Sequence, residues 1–339
     1  MSSAPRSDNF HLRKIPRHDL ILIGAGPCGL AAASEFKYAG LNYLHLESGQ
    51  LAQTVYNFPT NVRLFSHPRY LEIGKVHFHP EPYEPPTREQ YLEYLNKASS
   101  RLGLVVKQHS KVVGLTSNDK DHLVHYTKKR GKIGEACAPN IVVASGGYYA
   151  PQLLGIPGED QPNVYHYFRS ELPFHNERVL VVGGRNSAIE AVNTLVEKKA
   201  EVIHSYRGAR LPRKKIKPWL LPKFDKARKR GLIRTFYRTV PRSIHNKQVK
   251  LKSDGKKNMT IDVDRVFLLT GYGPDYATLK SASVPFHKRN KRPLFNPRTL
   301  ETKKSGIFLC GTIVLKWQGE KASIDNTRGH GKIILNNLR

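Results

Sequence analysis

The sequence predicts an α/β protein in which one domain with a parallel sheet is inserted into another. Two observations predict this fold. A pattern of apolar strand, glycine-rich turn and helix occurs twice, and short strand-like segments surround the second copy on both sides. The chain has 339 residues, 39% apolar and 24% charged, which suits a globular protein of two domains and excludes wholesale disorder.

The first copy begins with a continuous apolar strand at 20–23, as expected for a strand buried on both faces. The turn Gly24-Ala-Gly-Pro-Cys-Gly29 follows, and then a helix that is predicted to stop near Gly40. The next strand, 43–47, ends in the acid Glu47. Together these segments form a βαβ unit.

The first glycine turn has the features of a dinucleotide-binding site. Gly24 allows a tight turn, Gly26 lets the backbone approach a pyrophosphate, and Gly29 lets the helix pack closely on the strand. The helix N-terminus offers unpaired N–H groups to the phosphates. Glu47 follows Gly29 by 18 residues and would accept hydrogen bonds from a ribose diol while repelling a 2′-phosphate. This unit is therefore predicted to bind FAD or NAD rather than NADP.

The second copy runs from a strand at 178–182 through a glycine turn into a helix, and its following strand ends in bases. Arg185 stands where the motif has its second glycine, so its side chain must point away from the phosphates or contact them. The strand after the helix ends at Arg207, with Arg210 beyond it and no acid. An arginine fork suits a phosphate monoester, so these two residues favour NADPH over NADH, unless they belong only to the general basic excess. The predicted NADPH-binding residues are Gly183, Gly184, Arg185, Asn186, Ser187, Ala188, His204, Arg207 and Arg210.

Two Rossmann-like dinucleotide-binding domains follow from these units, with the NADPH domain inserted into the FAD domain. The FAD domain is predicted at 18–160 and 266–339, the NADPH domain at 161–265, and a basic N-terminal extension at 1–17. The implied chemistry is transfer of a hydride from NADPH to FAD, and of electrons from FAD to a third substrate. A helix predicted over 324–335 would direct its N-terminal dipole at the flavin.

The chain is strongly basic, with a net charge of +29. Residues 207–257 carry 19 Lys and Arg against only Asp225 and Asp254. The excess is either a solvated face or an attraction for anionic partners, such as an acidic thiol or electron-carrier protein. A nucleic-acid binder ranks last, because no recognition motif accompanies the charge. No apolar run is long enough to span a membrane and no secretory signal is evident.

The motifs resemble those of the thioredoxin reductase-like flavoproteins with two dinucleotide-binding domains. Ala144-Ser-Gly-Gly147 resembles their "ATG" turn, and Gly306-Ile-Phe-Leu-Cys-Gly311 resembles their second flavin motif, although Thr312 replaces the usual Asp. The chain is more closely similar to the YpdA-type bacillithiol disulfide reductase family. The segments that carry this similarity are 24–29, 56–61, 71–74, 182–191, 269–275 and 326–331.

This resemblance implies FAD, NADPH and reduction of a small-molecule thiol disulfide in a bacterial cytoplasm, as part of redox homeostasis. We also expect a homo-oligomer. The FAD-binding residues predicted from the first unit and the resemblance together are Gly24, Gly26, Pro27, Gly29, Glu47, Asn57, Thr60, Gly146, Gly311 and Thr312.

Three widely spaced cysteines form neither a disulfide framework nor a CxxC pair for redox or metal binding, which favours a reducing, cytoplasmic compartment. If thiol chemistry occurs, one cysteine must carry it. Cys28 is the candidate because it lies at a helix N-terminus, and the resemblance points to the same residue. It could equally be a small packing residue. Cys310 is predicted to be a core residue and Cys137 incidental.

Other readings remain open. His67, His77 and His79 lie in a loop predicted to cover the ligand, where they would be proton donors or ordinary surface residues. A ferredoxin or flavodoxin reductase on the same scaffold needs no cysteine, and a basic surface would suit its acidic carrier. A flavin monooxygenase is the other alternative, although its usual fingerprint is not evident before the second unit.

Overall fold

The computed structural model describes residues 15–81, 85–118, 120–128, 131–148, 150–254, 258–317 and 319–338. Most of the predicted basic extension at 1–17 lies outside these residues. Within the described part of the chain, no helix combines the length and apolar character needed to cross a membrane.

Eight helices and nineteen strands are assigned in the described residues. The helices are α1 (Pro27–Tyr38), α2 (Gln53–Tyr56), α3 (Arg88–Arg101), α4 (Asn186–Glu197), α5 (Leu221–Lys229), α6 (Ala277–Ser281), α7 (Ile324–Thr327) and α8 (His330–Leu335). The first strands are β1 (Leu20–Ile23), β2 (Tyr43–Leu46), β3 (Val112–Ser117), β4 (His122–Thr127), β5 (Ile133–Ala138), β6 (Asn140–Val143), β7 (Ala150–Pro151), β8 (Val164–Tyr165) and β9 (Arg178–Val182). They are followed by β10 (Glu201–Tyr206), β11 (Ile233–Tyr237), β12 (Thr239–His245), β13 (Gln248–Ser253), β14 (Met259–Asp262), β15 (Arg265–Leu268), β16 (Tyr272–Gly273), β17 (Ile307–Leu309), β18 (Lys316–Trp317) and β19 (Glu320–Lys321).

The first parallel sheet has the strand order β17-β6-β1-β2. All four residues of β1 are buried, as its continuous apolar sequence predicts. One hydrophobic cluster joins this sheet to α1 and to the antiparallel sheet β3-β4-β5. Parallel strands present their carboxyl ends at one edge, so the turn after β1 and the segments after β6 and β17 lie close together.

The second parallel sheet has the order β11-β10-β9-β15-β8. The side chains of successive β9 residues point to opposite faces of the sheet, as strand geometry requires. Val179 and Val181 pack with Ile189 of α4 in one cluster. Leu180 packs with Ile244 of the antiparallel sheet β12-β13-β14 in another. Helices therefore cover one face and a small sheet covers the other.

The chain passes between the two sheets at two points, where β7 and β16 pair with each other in an antiparallel arrangement. This pairing agrees with an insertion of the second unit into the first. The predicted boundary between residues 265 and 266 needs correction, because β15 extends to Leu268 and pairs with β9 in the second sheet. The other predicted boundaries stay predictions.

The single helix predicted at 324–335 is wrong, since α7 and α8 are two short helices separated at residues 328–329. Gly329 and Gly331 weaken the helical preference of this segment. Gly331 is required by packing, because a Cβ there would lie 2.5 Å from the Cα of Ala32 on α1. Arg328 donates hydrogen bonds to the carbonyl oxygens of Arg69 and Glu72, both at 3.0 Å, which holds the break.

Candidate functional site

A cavity of about 900 Å³ lies where the carboxyl edge of the first sheet meets the N-terminus of α4. The first glycine turn and the start of α4 both line it, so one space joins the two predicted nucleotide sites. The predicted site residues in its lining are Gly24, Gly26, Pro27, Cys28, Glu47, Asn57, Gly146, Asn186, Ser187 and Thr312.

The first glycine turn has the geometry that a pyrophosphate requires. Gly24 has φ +105°, and a Cβ there would lie 2.6 Å from the carbonyl oxygen of Ala144. A Cβ on Gly29 would lie 2.0 Å from the carbonyl oxygen of Gly24, so this residue sets the close packing of α1. Gly26 faces open space, with no atom within 4 Å of its Cβ position. No side chain caps the N-terminus of α1, so its N–H groups can serve a phosphate.

Glu47 lies directly after β2 and is only 7% exposed. Its carboxylate accepts hydrogen bonds from the N–H groups of Ala25 at 2.7 Å and Gly49 at 2.8 Å, and from the Ser48 hydroxyl at 3.1 Å. These bonds fix the carboxylate against the wall of the cavity. It still borders the cavity, so the donor set fits a flavin adenine dinucleotide whose ribose hydroxyls donate to it.

The remaining predicted flavin residues divide into two groups. Gly146 and Thr312 border the cavity together, where the Thr312 hydroxyl accepts a hydrogen bond from the N–H of Gly147 at 3.0 Å. Gly311 packs against Cys28 instead of lining the cavity. Thr60 is outside the lining of the cavity, and its hydroxyl and N–H bond the Ser170 hydroxyl at 2.6 and 2.9 Å, so its contact with a flavin stays a prediction.

The second glycine turn is more closed than the first. Gly183 has φ +147°, and Gly184 abuts the ring of Tyr206, which would lie 2.3 Å from a Cβ. A side chain in place of Gly184 would therefore collide with that ring. Of the predicted NADPH residues, Asn186 and Ser187 at the start of α4 line the cavity. Arg185, Arg207 and Arg210 are exposed to solvent, outside the cavity lining, and Ala188 is buried in the core.

His204 was predicted to contact NADPH, but it is fully buried and holds the glycine turn from behind. Its Nε2 lies 2.6 Å from the Gly183 carbonyl oxygen. His45 repeats this arrangement in the first unit, with Nε2 3.0 Å from the Gly24 carbonyl oxygen. His330 completes the set, since its Nδ1 accepts a hydrogen bond from the N–H of Gly311 at 3.1 Å. Three buried histidines thus support the three turns that surround the cavity.

Burial keeps these histidines neutral. It lowers the pKa of His45 to about 4 and of His330 to about 4, and it also lowers the pKa of His204. In the unfolded chain an imidazole takes up a proton below about pH 6.5, whereas His45 and His330 of the folded protein do so only near pH 4. The contribution of His45 and His330 to the free energy of unfolding is therefore constant above pH 6.5 and decreases as the pH falls from 6.5 to 4. The buried carboxyl of Glu190, whose pKa is raised to about 7, has the opposite dependence, because its contribution decreases as the pH rises from about 4.5 to 7.

We expect the loss to reach about 3 kcal/mol for each of His45 and His330 at pH 4. Urea unfolding at several pH values between 7.5 and 4.5 measures it. His45→Leu should reduce the slope, whereas the same change at the exposed His245 should not. The same pH dependence of unfolding in His45→Leu and in the wild-type protein would contradict the assignment of a neutral, buried His45.

Cys28 borders the cavity but is only 7% exposed. Burial raises the pKa of its thiol to about 11, although the Thr327 hydroxyl, 3.4 Å from Sγ, and the N–H of Thr312 favour the thiolate. The thiol of Cys310 lies 3.7 Å from the Cys28 carbonyl oxygen, and burial raises its pKa as well. Cys310 is a core residue, as predicted from its apolar strand.

Two further predictions are not supported by this geometry. The described residues that line the cavity do not include His67, His77 or His79. His77 instead faces Glu72, with Nδ1 3.5 Å from the carboxylate. The helix expected to direct its dipole at a flavin is the four-residue α7, so its dipole is much smaller than a helix over 324–335 would give.

Sequence reasoning missed Glu190 and Tyr148, which also line the cavity. Burial raises the pKa of Glu190 to about 7, with Lys223 opposing the shift, so its carboxyl can hold or release a proton near neutral pH. Tyr148 bonds Ser187 and packs on Tyr272, with ring centroids 3.9 Å apart. The signal for Glu190 was its position three residues after Ser187, on the same helix face.

Comparison with known proteins agrees with this arrangement. A family model described as pyridine nucleotide-disulphide oxidoreductase matches residues 21–311. The chain is 36% identical over 311 residues to bacilliredoxin reductase Bdr of Bacillus subtilis (strain 168), covering 92% of this chain and 94% of that protein. The solved structure of bacillithiol disulfide reductase Bdr (YpdA) from Bacillus cereus has a TM-score of 0.89 and 34% identity, covering 95% of this chain and 98% of that one.

A more distant relative is the ferredoxin–NADP reductase of Ignicoccus hospitalis (strain KIN4/I / DSM 18386 / JCM 14125). It is 26% identical over 308 residues, covering 87% of this chain and 90% of that protein. The predicted fold class, with two nucleotide-binding units and one inserted into the other, is confirmed.

Proposed function

The chain belongs to the pyridine nucleotide-disulphide oxidoreductase family, and we propose that it is an FAD-dependent NADPH oxidoreductase that reduces a small-molecule thiol disulfide of the bacillithiol disulfide type. One observation carries the proposal: a single cavity joins the open glycine turn of the first unit to the start of α4 in the second. The family implies a flavin and a pyridine nucleotide. The choice of FAD rests on Glu47, and the choice of NADPH rests on the basic end of β10.

The residues at the first turn would hold the flavin nucleotide. Gly26 leaves room for the pyrophosphate, the N-terminus of α1 donates N–H groups to it, and Glu47 accepts from the ribose. Bound flavin would supply two-electron transfer between nicotinamide and a disulfide. Gly146 and Thr312 border the same space from the ends of neighbouring strands.

The second unit would orient the nicotinamide nucleotide. Asn186 and Ser187 lie at the N-terminus of α4, which has no side-chain cap and can therefore donate N–H groups to phosphate. Glu190 on the next turn can hold a proton at its carboxyl oxygen near neutral pH. Phe58 packs edge to face on Tyr148 with ring centroids 5.4 Å apart, and both side chains line the cavity.

The proposed function is tested by purified holoenzyme in stopped-flow absorbance. NADPH should bleach the flavin band, and a small disulfide should restore it while two thiols appear for each NADPH consumed. Bleaching without reoxidation by any disulfide would refute the disulfide reductase and leave the family assignment intact.

We further propose that Cys28 is the thiol that exchanges with the substrate. Its place in the cavity wall and the N–H of Thr312, which favours the thiolate, support this role. Its raised pKa of about 11 means that only a small fraction is thiolate at neutral pH, so the exchange step should be slow there.

Cys28→Ser should lower kcat with a disulfide by at least about 100-fold, because a serine hydroxyl cannot form a mixed disulfide. The wild-type rate should increase about tenfold per pH unit between pH 7 and 9, since the thiolate fraction does so below its pKa. Reduction of ferricyanide by NADPH is the control reaction and should stay within about twofold. Cys137→Ser is the matched control variant. Unchanged disulfide turnover in Cys28→Ser would remove this residue from the mechanism.

A ferredoxin or flavodoxin reductase is the second candidate. The basic stretch 207–257 favours it, because an acidic electron carrier would be attracted to that surface. The same stopped-flow experiment distinguishes the two, since this candidate requires reoxidation by ferredoxin and no effect of Cys28→Ser. An acidic thiol protein as substrate would share the electrostatic attraction and require the disulfide chemistry.

We also propose the cellular compartment and the oligomeric state in which the reaction takes place. The three cysteines are free thiols, which supports a reducing, cytoplasmic compartment for this chain. A homo-oligomer stays a prediction that size-exclusion chromatography with light scattering would check.

A further inference from the structure

An unusual surface cluster joins the two nucleotide-binding units beside the cavity. Phe65 from the first unit and Trp219 from the second are 53% and 52% exposed, with ring centroids 6.1 Å apart. Lys217 lies over both rings, with Nζ 4.2 Å from the Phe65 centroid and 5.6 Å from the Trp219 centroid. We call these three residues the aromatic–lysine cluster. Large apolar side chains left this exposed side by side mark binding surfaces more often than chance exposure does.

The cluster lies at the rim of the cavity. Phe65 lines the cavity while half of its side chain remains open to solvent. The N–H of Lys217 donates to the side-chain oxygen of Asn186, a cavity residue, at 2.9 Å. A molecule that contacts the cluster would therefore also reach the space between the two glycine turns.

The cluster is built on anchored segments. Trp219 belongs to the 3-10 turn Pro218–Leu220, and the carbonyl oxygen of Leu220 accepts a hydrogen bond from buried Asn193 of α4 at 3.0 Å. On the other side, Ser66 donates to Asp325 of α7 at 3.0 Å. The two rings are thus held on both sides, which reduces the entropy lost when a ligand binds between them.

The positive charge of the cluster indicates that its ligand is an anion. Within the described part of the chain, no carboxylate lies within 4 Å of the Lys217 ammonium. Lys321 also lines the cavity, as do the carboxylates of Glu47 and Glu190. A cation that rests on aromatic rings without an acidic partner can form a charge-assisted hydrogen bond with an anionic ligand.

We propose that the aromatic–lysine cluster is the substrate subsite for a small disulfide that carries carboxylate groups. Lys217 binds a carboxylate, and Phe65 and Trp219 cover the organic body of the molecule, so that its sulfur atoms lie in the cavity. This inference rests on the proposed disulfide reductase function and adds the substrate's charge and point of entry.

Equilibrium binding tests the subsite separately from turnover. The probes are 4,4′-thiodibenzoate, a dianionic thioether that cannot be reduced, and 4,4′-thiodiphenol, its neutral counterpart at pH 7. Titration calorimetry on the oxidised holoenzyme should show that Lys217→Gln weakens binding of the dianion at least about tenfold and of the neutral thioether less than about twofold. Lys217→Arg should retain most of the affinity for the dianion.

The matched control is Lys214→Gln, which removes the same charge from an exposed lysine on the neighbouring 3-10 turn. It should change neither affinity by more than about twofold. Phe65→Ala and Trp219→Ala should weaken both probes several-fold, because aromatic contact does not depend on the ligand's charge. Flavin content and the thermal midpoint of each variant confirm that it is folded.

Three results would overturn the subsite. They are an equal effect of Lys217→Gln and Lys214→Gln, an equal effect of Lys217→Gln on both probes, and a Lys217→Gln effect on the Kd of NADPH instead of the dianion. The last result would place Lys217 in the nicotinamide nucleotide site. If the wild-type protein binds the dianion as described but reduces no disulfide, the subsite stands and the proposed function fails.

Discussion

Gly26→Ala is expected to weaken flavin binding roughly 100-fold or more while the protein remains folded. The structure leaves no atom within 4 Å of the Cβ position, and φ is −72°, so alanine fits this backbone without strain. The added methyl group occupies the place where the pyrophosphate must approach the helix N-terminus. Loss of two charge-assisted hydrogen bonds, about 1.5–3 kcal/mol each, corresponds to a decrease in flavin affinity of roughly 100-fold or more.

Flavin content after purification and fluorescence titration of the apoprotein measure this effect. Gly29→Ala is the contrasting variant, because its Cβ would lie 2.0 Å from the Gly24 carbonyl oxygen. That collision should lower the thermal midpoint of the apoprotein, whereas Gly26→Ala should shift it by less than about 2 °C. A yellow Gly26→Ala protein with normal flavin affinity would mean that the pyrophosphate does not lie on this turn.

Local sequence signals predicted the two βαβ units well. The order of apolar strand, glycine turn and helix depends on residues within about 30 positions of one another, and β1, α1 and β2 lie where this order placed them. The antiparallel strands β12–β14 were not predicted. Their outward positions carry part of the basic excess, as in β13, where buried and exposed residues alternate. This alternation of apolar and basic residues is itself the signal of a half-buried strand, so β13 could have been predicted from the sequence.

The positions of the site residues were harder to predict than the fold, because several of them depend on contacts between segments that are far apart in the sequence. Thr60 pairs with Ser170, 110 residues away, and no pattern near either residue indicates that contact. His204 has a base-rich sequence around it, yet its strand position directs it into the core beneath Gly183. Glu190 shows the opposite case, since helical spacing from Ser187 could have placed it in the cavity without the structure.

Replacing both Arg207 and Arg210 with alanine is expected to remove the preference for NADPH over NADH. Both arginines lie just beyond β10, where an acid would bind the ribose of NADH and where arginine binds the 2′-phosphate of NADPH. Each charge-assisted hydrogen bond lost costs about 1.5–3 kcal/mol, so kcat/KM for NADPH should fall roughly 100-fold or more. The value for NADH should change less than about threefold.

The strong positive charge of this region requires a control for general attraction, because NADPH carries more negative charge than NADH. Arg242→Ala removes one exposed arginine of the same basic stretch from β12. If the preference comes from the long-range field, this variant and each single variant of Arg207 and Arg210 should weaken NADPH equally, and high salt should erase the difference. A local phosphate site predicts instead that only Arg207 and Arg210 matter, with an effect that persists at about 0.5 M salt, because direct charge-assisted bonds are screened less than distant charges.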